Sequence, residues 1–457
     1  MGVHRNRKGL DLPITGQPEP VVEEAGQPRR IALLADDYVG MKPTMHVRPG
    51  DAVSRGQLLF ECKKTIGVRY TSPADGKVVA VNRGDKRNFE SVVVELSASE
   101  MSGGTGAETS FASYAGRDAA GLSREQVRDL LIESGEWTAL RARPFGRVAD
   151  PDTTPKSIFV TAMDSNPLAP DVAAIVADRP AEFEAGLAAL AQLTEGIVYV
   201  CAGADAKVSV PSHERVRVEQ FKGQHPSGTP GWHIHTLDPV DRNKLVWHLG
   251  AQDVIAIGHL FRTGKLMVER VIALAGPSVT RPRLLRTRRG AALDDLVSGE
   301  TADGKKRVIS GSVFGGTTSM GEVHGFLHRY DQQVTVLKEG DERVFLGWMG
   351  PGFGAFSVTS AFASKLMPGK KFPFTTTTHG SHRAIVPIGS YEKVFPFDIP
   401  PSFLMRALAV HDVERAEQLG CLELTEEDLA LCTFVEPGKE EYGPRLRAVL
   451  ETIWKEG

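Results

Sequence analysis

Cysteine is scarce. Cys62, Cys201, Cys421 and Cys432 are the four in 457 residues, and no two form a CxxC pair. That usage argues against a disulfide scaffold and fits a reducing compartment. Long apolar runs are missing as well: no stretch approaches the roughly 18 residues of a spanning helix, so the chain is expected not to cross a membrane. Its opening, Met1 to Gly9, is polar and basic with no apolar core behind it, which argues against a secretory leader. There is no basic excess: 54 Lys and Arg stand against 57 Asp and Glu, a net charge of −3, which argues against a dedicated nucleic-acid binder. No G-x-G-x-x-G fingerprint joins a strand to a helix. Gly350-Pro-Gly352-Phe-Gly354 is the nearest cluster and falls among apparent strands, while only Gly203 follows the strand GIVYVC. The usual dinucleotide cradle is therefore not expected. A cubane iron–sulfur cluster takes four thiolates, and Cys421 and Cys432 supply two, so buried free thiols are expected instead.

What is present reads as several domains, about three at ~150 residues each. Val47–Glu61 (VRPGDAVSRGQLLFE) and Tyr70–Val81 (YTSPADGKVVAV) are short Val- and Leu-rich runs punctuated by Gly50, Gly56 and Gly76, hence strands and turns. Ser99 to Arg117, rich in Gly, Ser and Thr, reads as a linker or surface loop. Ser123-Arg-Glu-Gln126 is a capping-box pattern ahead of Val127, Leu130 and Leu131. Strands over 157–162 and 196–201 alternate with a helix over 180–193, and Asp253–Ile257 (DVIAI) reads as a last strand, so an α/β layer with a parallel sheet is expected. Strand-and-turn patterning returns from Leu266 to Val336 with one short helix near 291–296, which suits a small α+β domain. From Pro400 onward helices are expected over 403–410, 413–419, from Thr425, and over 444–455.

Four groups of residues are candidates for chemistry. Gly50-Asp-x-Val-x-x-Gly-Gln-x-Leu, then Cys62-Lys63-Lys64-Thr65 and Ser72-Pro-x-x-Gly76-x-Val, resemble biotinyl and lipoyl carrier domains, in which a hairpin lysine receives the cofactor. Two lysines follow a cysteine here, so an unmodified barrel-sandwich module used for packing is preferred to a carrier modified at Lys63 or Lys64. In His225-Pro-Ser-Gly228-Thr-Pro-Gly231-Trp-His233-Ile-His235, two histidines at i and i+2 would share one face of a strand. A metal would need a third ligand, and Asp238 and His248 have no diagnostic spacing. A Gly-rich loop with His and Trp can instead line a pocket for an aromatic head group, where imidazole hydrogen-bonds a carbonyl; a plain tight turn is the alternative. Cys421 and Cys432-Thr-Phe-Val-Glu436 are taken as free thiols near a carboxylate. The basic run Arg281 to Arg289 reads as a solvated face, or as a contact for acidic lipid or an acidic partner.

Taken together, KGLDLPITGQP (8–18), DDYVGMKP (36–43), SIFVTAMDSNPL (157–168), residues 225–240, QDVIAIG (252–258), RVIALAG (270–276) and GCLELTEEDLALCTFVEP (420–437) resemble the A subunit of the sodium-translocating NADH:quinone reductases (Na+-NQR) along nearly the whole chain. That family is related to the C subunit of the Rnf complex and to the flavin-bearing subunit of respiratory complex I. The resemblance implies an α/β multidomain chain: a barrel-sandwich, biotinyl/lipoyl-like module over 1–100, a Rossmann-like domain over 101–260, a β-grasp, SLBB-like domain over 261–335, a β-rich connecting segment over 336–399 and a helical unit over 400–457. Family members often have Cys where Glu436 stands, which weakens any redox role for Cys432.

The resemblance also implies a division of labour. The complex oxidises NADH, reduces ubiquinone and exports sodium, with flavins and iron–sulfur centres on other subunits. This chain would bind no cofactor, take no metal and no nucleic acid, and meet the membrane through partner subunits on the cytoplasmic face of the bacterial inner membrane. His225, Gly228, Gly231, His233 and His235 are then the candidates for lining a quinone head-group site. A self-sufficient NADH dehydrogenase and the Lys63 or Lys64 carrier are the rival expectations.

Overall fold

The computed structural model describes residues 2–342 and 349–456. Strands β1 (Val3–Arg5) and β2 (Glu19–Glu24) open the chain, and both are contributed to sheets formed by later segments. Seven strands follow: β3 (Arg30–Leu34), β4 (Pro43–Met45), β5 (Ala52–Val53), β6 (Leu58–Cys62), β7 (Arg69–Thr71), β8 (Gly76–Arg83) and β9 (Phe89–Leu96). β3-β9-β8-β5 make one sheet and β4-β6-β7 another. Leu59, Phe60, Tyr70, Val78, Val92 and Val94 are buried in the core of this barrel-sandwich. Lys63 and Lys64 lie exposed on the loop from β6 to β7.

After α1 (Ala98–Met101) comes α2 (Arg124–Ser134), which carries the expected capping box: the Ser123 hydroxyl accepts the Gln126 N–H and the Gln126 side chain accepts the Ser123 N–H. The α/β unit continues with β10 (Arg141–Arg143), β11 (Arg147–Val148), β12 (Ile158–Ala162), α3 (Val172–Asp178), α4 (Pro180–Leu190), β13 (Val198–Gly203), β14 (Val216–Lys222), α5 (Pro230–Leu237), β15 (Val246–Gly250) and α6 (Ala251–Thr263). The sheet order is β1-β14-β13-β12-β15-β10-β11, parallel from β1 to β15. The strand order reverses at β12. Residues 253–257, expected to be a strand, lie instead in α6. That helix is buried over Ala251 to Gly258 on every side, so its apolar residues form no stripe and its 3.6-residue period is unreadable. It packs on α4 through glycines: a Cβ on Gly258 would sit 1.7 Å from the Glu182 carbonyl oxygen, and one on Gly186 would sit 2.0 Å from that of Val254.

The third unit holds β16 (Glu269–Ala275), β17 (Arg283–Arg288), α7 (Leu293–Val297), β18 (Lys306–Ser310), β19 (Thr317–Thr318), α8 (Gly321–His324) and β20 (Gln333–Lys338), in the order β19-β18-β20-β16-β17-β2. α7 buries Leu293 and Leu296 against Ile272, Leu274 and Val336. The segment 336–399, expected to be β-rich, carries among its described residues the end of β20, isolated bridges at Phe372 and Thr375, and helix α9 (Ser390–Val394). Helices α10 (Pro401–Ala409), α11 (Val413–Gln418), α12 (Ala430–Val435) and α13 (Tyr442–Glu456) close the chain around their own apolar core.

The basic run 281–289 is not a solvated face. It forms β17 and the turn after it, and its arginines reach carboxylates both within the third unit and in its neighbours. Arg283 meets Glu300 at 2.8 Å and Glu23 at 2.7 Å, Arg286 meets Glu269 at 2.7 Å, Arg288 meets Glu100 at 2.9 Å and Arg289 meets Glu136 at 2.7 Å. Arg55 grips both oxygens of Glu100 at 2.8 and 2.7 Å. Arg329 meets Asp253 at 2.7 Å, and Arg270 pairs with the same carboxylate. Burial alone would raise the Asp253 pKa, yet Arg329 and Arg270 outweigh it and hold the carboxyl below its ordinary value. Asp253→Asn leaves two buried guanidiniums without their carboxylate. The cost should be about 3–5 kcal/mol, read as a lower urea midpoint with unchanged slope.

His328 of the third unit pairs with Asp37 of the sandwich at 2.7 Å. Burial opposes its charge, but Asp37 prevails and the pKa is raised to about 9. A raised histidine stabilises fully below about pH 6.5 and loses that contribution as pH rises to about 9, a change of about 3 kcal/mol. The wild-type melting temperature should therefore fall between pH 6 and 9.5 by more than that of His328→Gln.

Candidate functional site

Residues 225–229 form a turn, and 230–235 are helical where a strand was expected. Thr229 caps α5, its hydroxyl accepting the Trp232 N–H at 3.5 Å, and Pro230 occupies the first helical position. Residues at i and i+2 on a helix are separated by about 200°, so His233 and His235 do not share a face. His233 points into the apolar layer against the sheet, its ring 4.2 Å from that of Phe221. Its Nε2 donates to the Ser227 carbonyl at 3.0 Å. That bond fixes the tautomer, and burial pushes the pKa down to about 3, so the ring stays neutral. His235 turns toward the C-terminal unit. Its Nε2 accepts the Asp398 N–H at 3.1 Å, which leaves Nδ1 as donor to Glu423 at 2.7 Å.

His225 is buried beneath Phe314, with ring centroids 5.2 Å apart. Its Nδ1 lies 3.1 Å from Ser165 Oγ, which also accepts the Gly228 N–H at 2.8 Å. Burial lowers the His225 pKa to about 4. The two glycines admit close neighbours. A Cβ at Gly228 would fall 2.5 Å from the Ser165 amide nitrogen, and one at Gly231 would fall 1.9 Å from Asp428 Oδ1. The five candidates are thus brought together along one segment, wedged between the sheet and the helical unit, with their ring nitrogens and backbone largely engaged by protein groups.

The sequence reading missed the groups that face this wedge. Asp428 accepts the Thr425 N–H at 2.8 Å and pairs with Arg143, also at 2.8 Å, with both side chains buried. Thr425-Glu-Glu-Asp428 had signalled a helix start, and Asp428 does cap that turn, but it also anchors β10. Next to it, Glu427 lies 3.5 Å from Asn166, which follows β12. Burial, with help from Asp428 and Asp164, raises the Glu427 pKa to about 7.

In sheets of this kind, ligands occupy the crevice outside the carboxyl ends of the strands where the order reverses. Here Gln252 and Asp253, just after β15, hold the third unit instead: the Gln252 amide both donates to and accepts from Val271 of β16, at 2.8 and 2.9 Å. Beside them is a cavity of about 610 Å³, lined among others by Asp164, Asp171, Arg179, Arg270 and Arg286. None of the five candidates lines it, and its arginines pair with Asp253 and Glu269. An acidic residue in the first turn of α6 disfavours a phosphate at that helix end. Among the described residues no group of three or more His, Cys, Asp or Glu is placed to hold a metal ion. Lys63 and Lys64 lie in the sandwich module and take no part in this joint. Glu436 is buried, accepting the Gly438 N–H at 2.6 Å and the Tyr442 hydroxyl at 3.0 Å.

Three family descriptions match in order: the NqrA N-terminal barrel-sandwich hybrid domain over residues 5–97, the NqrA second alpha/beta domain over 122–266 and the NQRA C-terminal domain over 271–321. Full-length relatives agree. The A subunit of the Na(+)-translocating NADH-quinone reductase of Hahella chejuensis is 54% identical over 451 residues, covering 99% of both chains. The proteins of the same name from Alcanivorax borkumensis and Rhodopirellula baltica are each 53% identical, covering 99% and 100% of this chain and 99% of their own. The chain belongs to the NqrA family, the A subunits of the Na(+)-translocating NADH-quinone reductases. In this family member the α5 wedge joins the α/β unit to the helical unit, and Gly231 is its tightest point. Gly231→Ala must displace a carboxylate already fixed by Arg143 and Thr425, at a cost of about 1–3 kcal/mol. The expected result is a lower melting temperature together with faster limited proteolysis C-terminal to residue 390.

Proposed function

We propose that this chain is the peripheral, cytoplasmic-face subunit of a bacterial inner-membrane NADH:ubiquinone reductase that translocates sodium. It serves ubiquinone reduction by holding a rigid shape against the membrane subunits, while NADH oxidation, flavins and iron–sulfur centres reside on those partners. Full-length similarity to relatives that bear the NqrA name carries the assignment to such a complex. Two further observations agree with it. Among the described residues no helix is long and apolar enough to cross a membrane, and the switch-point side chains are bonded to the neighbouring unit. Within this role His225, Gly228, Gly231, His233 and His235 act as a structural joint. The single observation that favours a joint over a quinone lining is that His233 and His235 point to opposite sides of α5 and each binds protein: Ser227 for one, Glu423 and Asp398 for the other.

The test is His233→Ala with His235→Ala in the assembled complex. Loss of both rings empties core space and strips partners from Ser227 and Glu423, a cost of about 3–5 kcal/mol. The assembled fraction and its melting temperature should fall. The KM for ubiquinone and NADH oxidation with an artificial acceptor, each per assembled complex, should stay at wild-type values. A raised KM with normal assembly would return these side chains to a quinone site, and loss of NADH oxidation would overturn the division of labour.

A further inference from the structure

The stretch ahead of the helical unit is chemically unlike the rest of the chain. Asp and Glu account for 57 of 457 residues, yet none occurs between Glu342 and Glu392, where Lys365, Lys370, Lys371 and Arg383 all fall. Residues 349–372 form a lobe ahead of that unit. Its base is closed by a parallel bridge between Ile14 and Phe372, with the Thr15 N–H donating to the Phe372 carbonyl at 3.0 Å and the Phe372 N–H to that of Pro13 at 2.7 Å. Phe356 sits inside, its ring 5.8 Å from Phe372, 5.4 Å from Phe374 and 6.4 Å from Phe434. The lobe therefore has an aromatic anchor of its own.

Its tip does not fold back onto that anchor. Leu366 is 73% exposed, Met349 66%, Phe353 54% and Met367 47%. The two stretches that carry these residues are held against each other: the Ala363 N–H donates to the Pro351 carbonyl at 2.9 Å, and Lys370 Nζ donates to the Phe353 carbonyl at 2.6 Å while lying 3.9 Å from Met367 Sδ. Lys365 to Gly369 are five consecutive exposed residues. Among the described residues neither Lys365 nor Lys371 pairs with a carboxylate. An exposed apolar cluster rimmed by polar groups marks an interaction surface. Apolar residues flanked by lysines, with carboxylates excluded, complement the negative potential and acyl boundary of an anionic bilayer.

We propose that the tip of this lobe, Met349, Phe353, Leu366 and Met367 with Lys365 and Lys371, seats directly on anionic phospholipid headgroups. The apolar side chains enter the boundary between headgroup and acyl chain, and the lysines meet lipid phosphates. This contact is separate from docking to partner subunits and does not depend on where quinone binds.

The test uses the full chain and sedimentation with phosphatidylglycerol vesicles, with pure phosphatidylcholine as control. All four native cysteines are buried, so Leu366→Cys accepts an environment-sensitive fluorophore selectively. Binding to the anionic vesicles should weaken with salt and be at least about tenfold weaker on phosphatidylcholine, since each lysine near such a surface is worth about fivefold. Lys365→Glu with Lys371→Glu should cost at least about tenfold, Leu366→Ser with Met367→Ser several-fold, and the fluorophore should shift to the blue on vesicles. These side chains are exposed, so the variants should melt as the wild type does. Equal binding to both vesicle types, or no loss in either double variant, overturns the proposal. A blue shift confined to the lipid-free, detergent-solubilised complex also overturns it and assigns the tip to a protein neighbour.

Discussion

Buried guanidinium–carboxylate contacts hold the first three units in one arrangement. Glu100 and Arg55 come from the sandwich and the turn after it, Glu136 and Asp253 from the α/β unit, and Arg270, Arg288, Arg289 and Arg329 from the third unit. Removing such charges from water is expensive, and their mutual attraction offsets that cost only when the geometry is complete. Two of these carboxylates accept from more than one donor: Asp253 takes Arg270 and Arg329, and Glu100 takes both Arg55 and Arg288 and also the Asp75 N–H at 3.1 Å. The consequence is specificity of arrangement. A unit that slid by one strand register would strand several charges at once, so apolar packing between units does not have to define the angle alone.

That constraint explains what has become of the sheet's switch point. The crevice beyond β12 and β15 offers space, but its two best-placed polar side chains, Gln252 and Asp253, are bonded to β16 and to Arg270 and Arg329. A group that ties down a neighbouring unit is not free to bind a diffusing ligand. The same trade occurs on the opposite face of the sheet, where α5 places His235 on Glu423 and Gly231 against Asp428. Both places in the α/β unit are thus engaged in joints to neighbouring units.

Much of this was legible in the sequence, and the misses have physical causes. The capping box at Ser123 and the terminal helices were readable because each is an amphipathic element with its own start signal, and the strands around Phe159 and Val200 because each is a short buried apolar run. α6 was misread because complete burial erases periodicity. α5 carried a readable signal, Thr229 followed by Pro230, but the alternation of His233 and His235 suggested a strand. The arginines of β17 were misjudged for a different reason. Charge in a sequence says nothing about whether a carboxylate waits opposite, and Glu100 and Glu136 lie far away along the chain. The joint around Asp428 was hidden likewise, because one residue both caps a helix locally and pairs with Arg143, 285 positions away.

The near-neutral composition conceals a segregation that follows from the same network. A core containing Arg55, Arg143, Arg270, Arg288, Arg289 and Arg329 must draw carboxylates inward, to the joints, because an unpaired buried guanidinium is too costly to keep. The lobe 349–372 buries aromatic rings at its base instead of charges, so nothing there calls for an acid. Its lysines then stand without local compensation, on a face whose apolar tip water does not favour. A net charge of −3 averages over these two environments. The distribution matters more than the sum, because an anionic surface near the lobe meets the local field of its lysines within about 8 Å, the screening length at physiological salt, and not the charge of the whole chain.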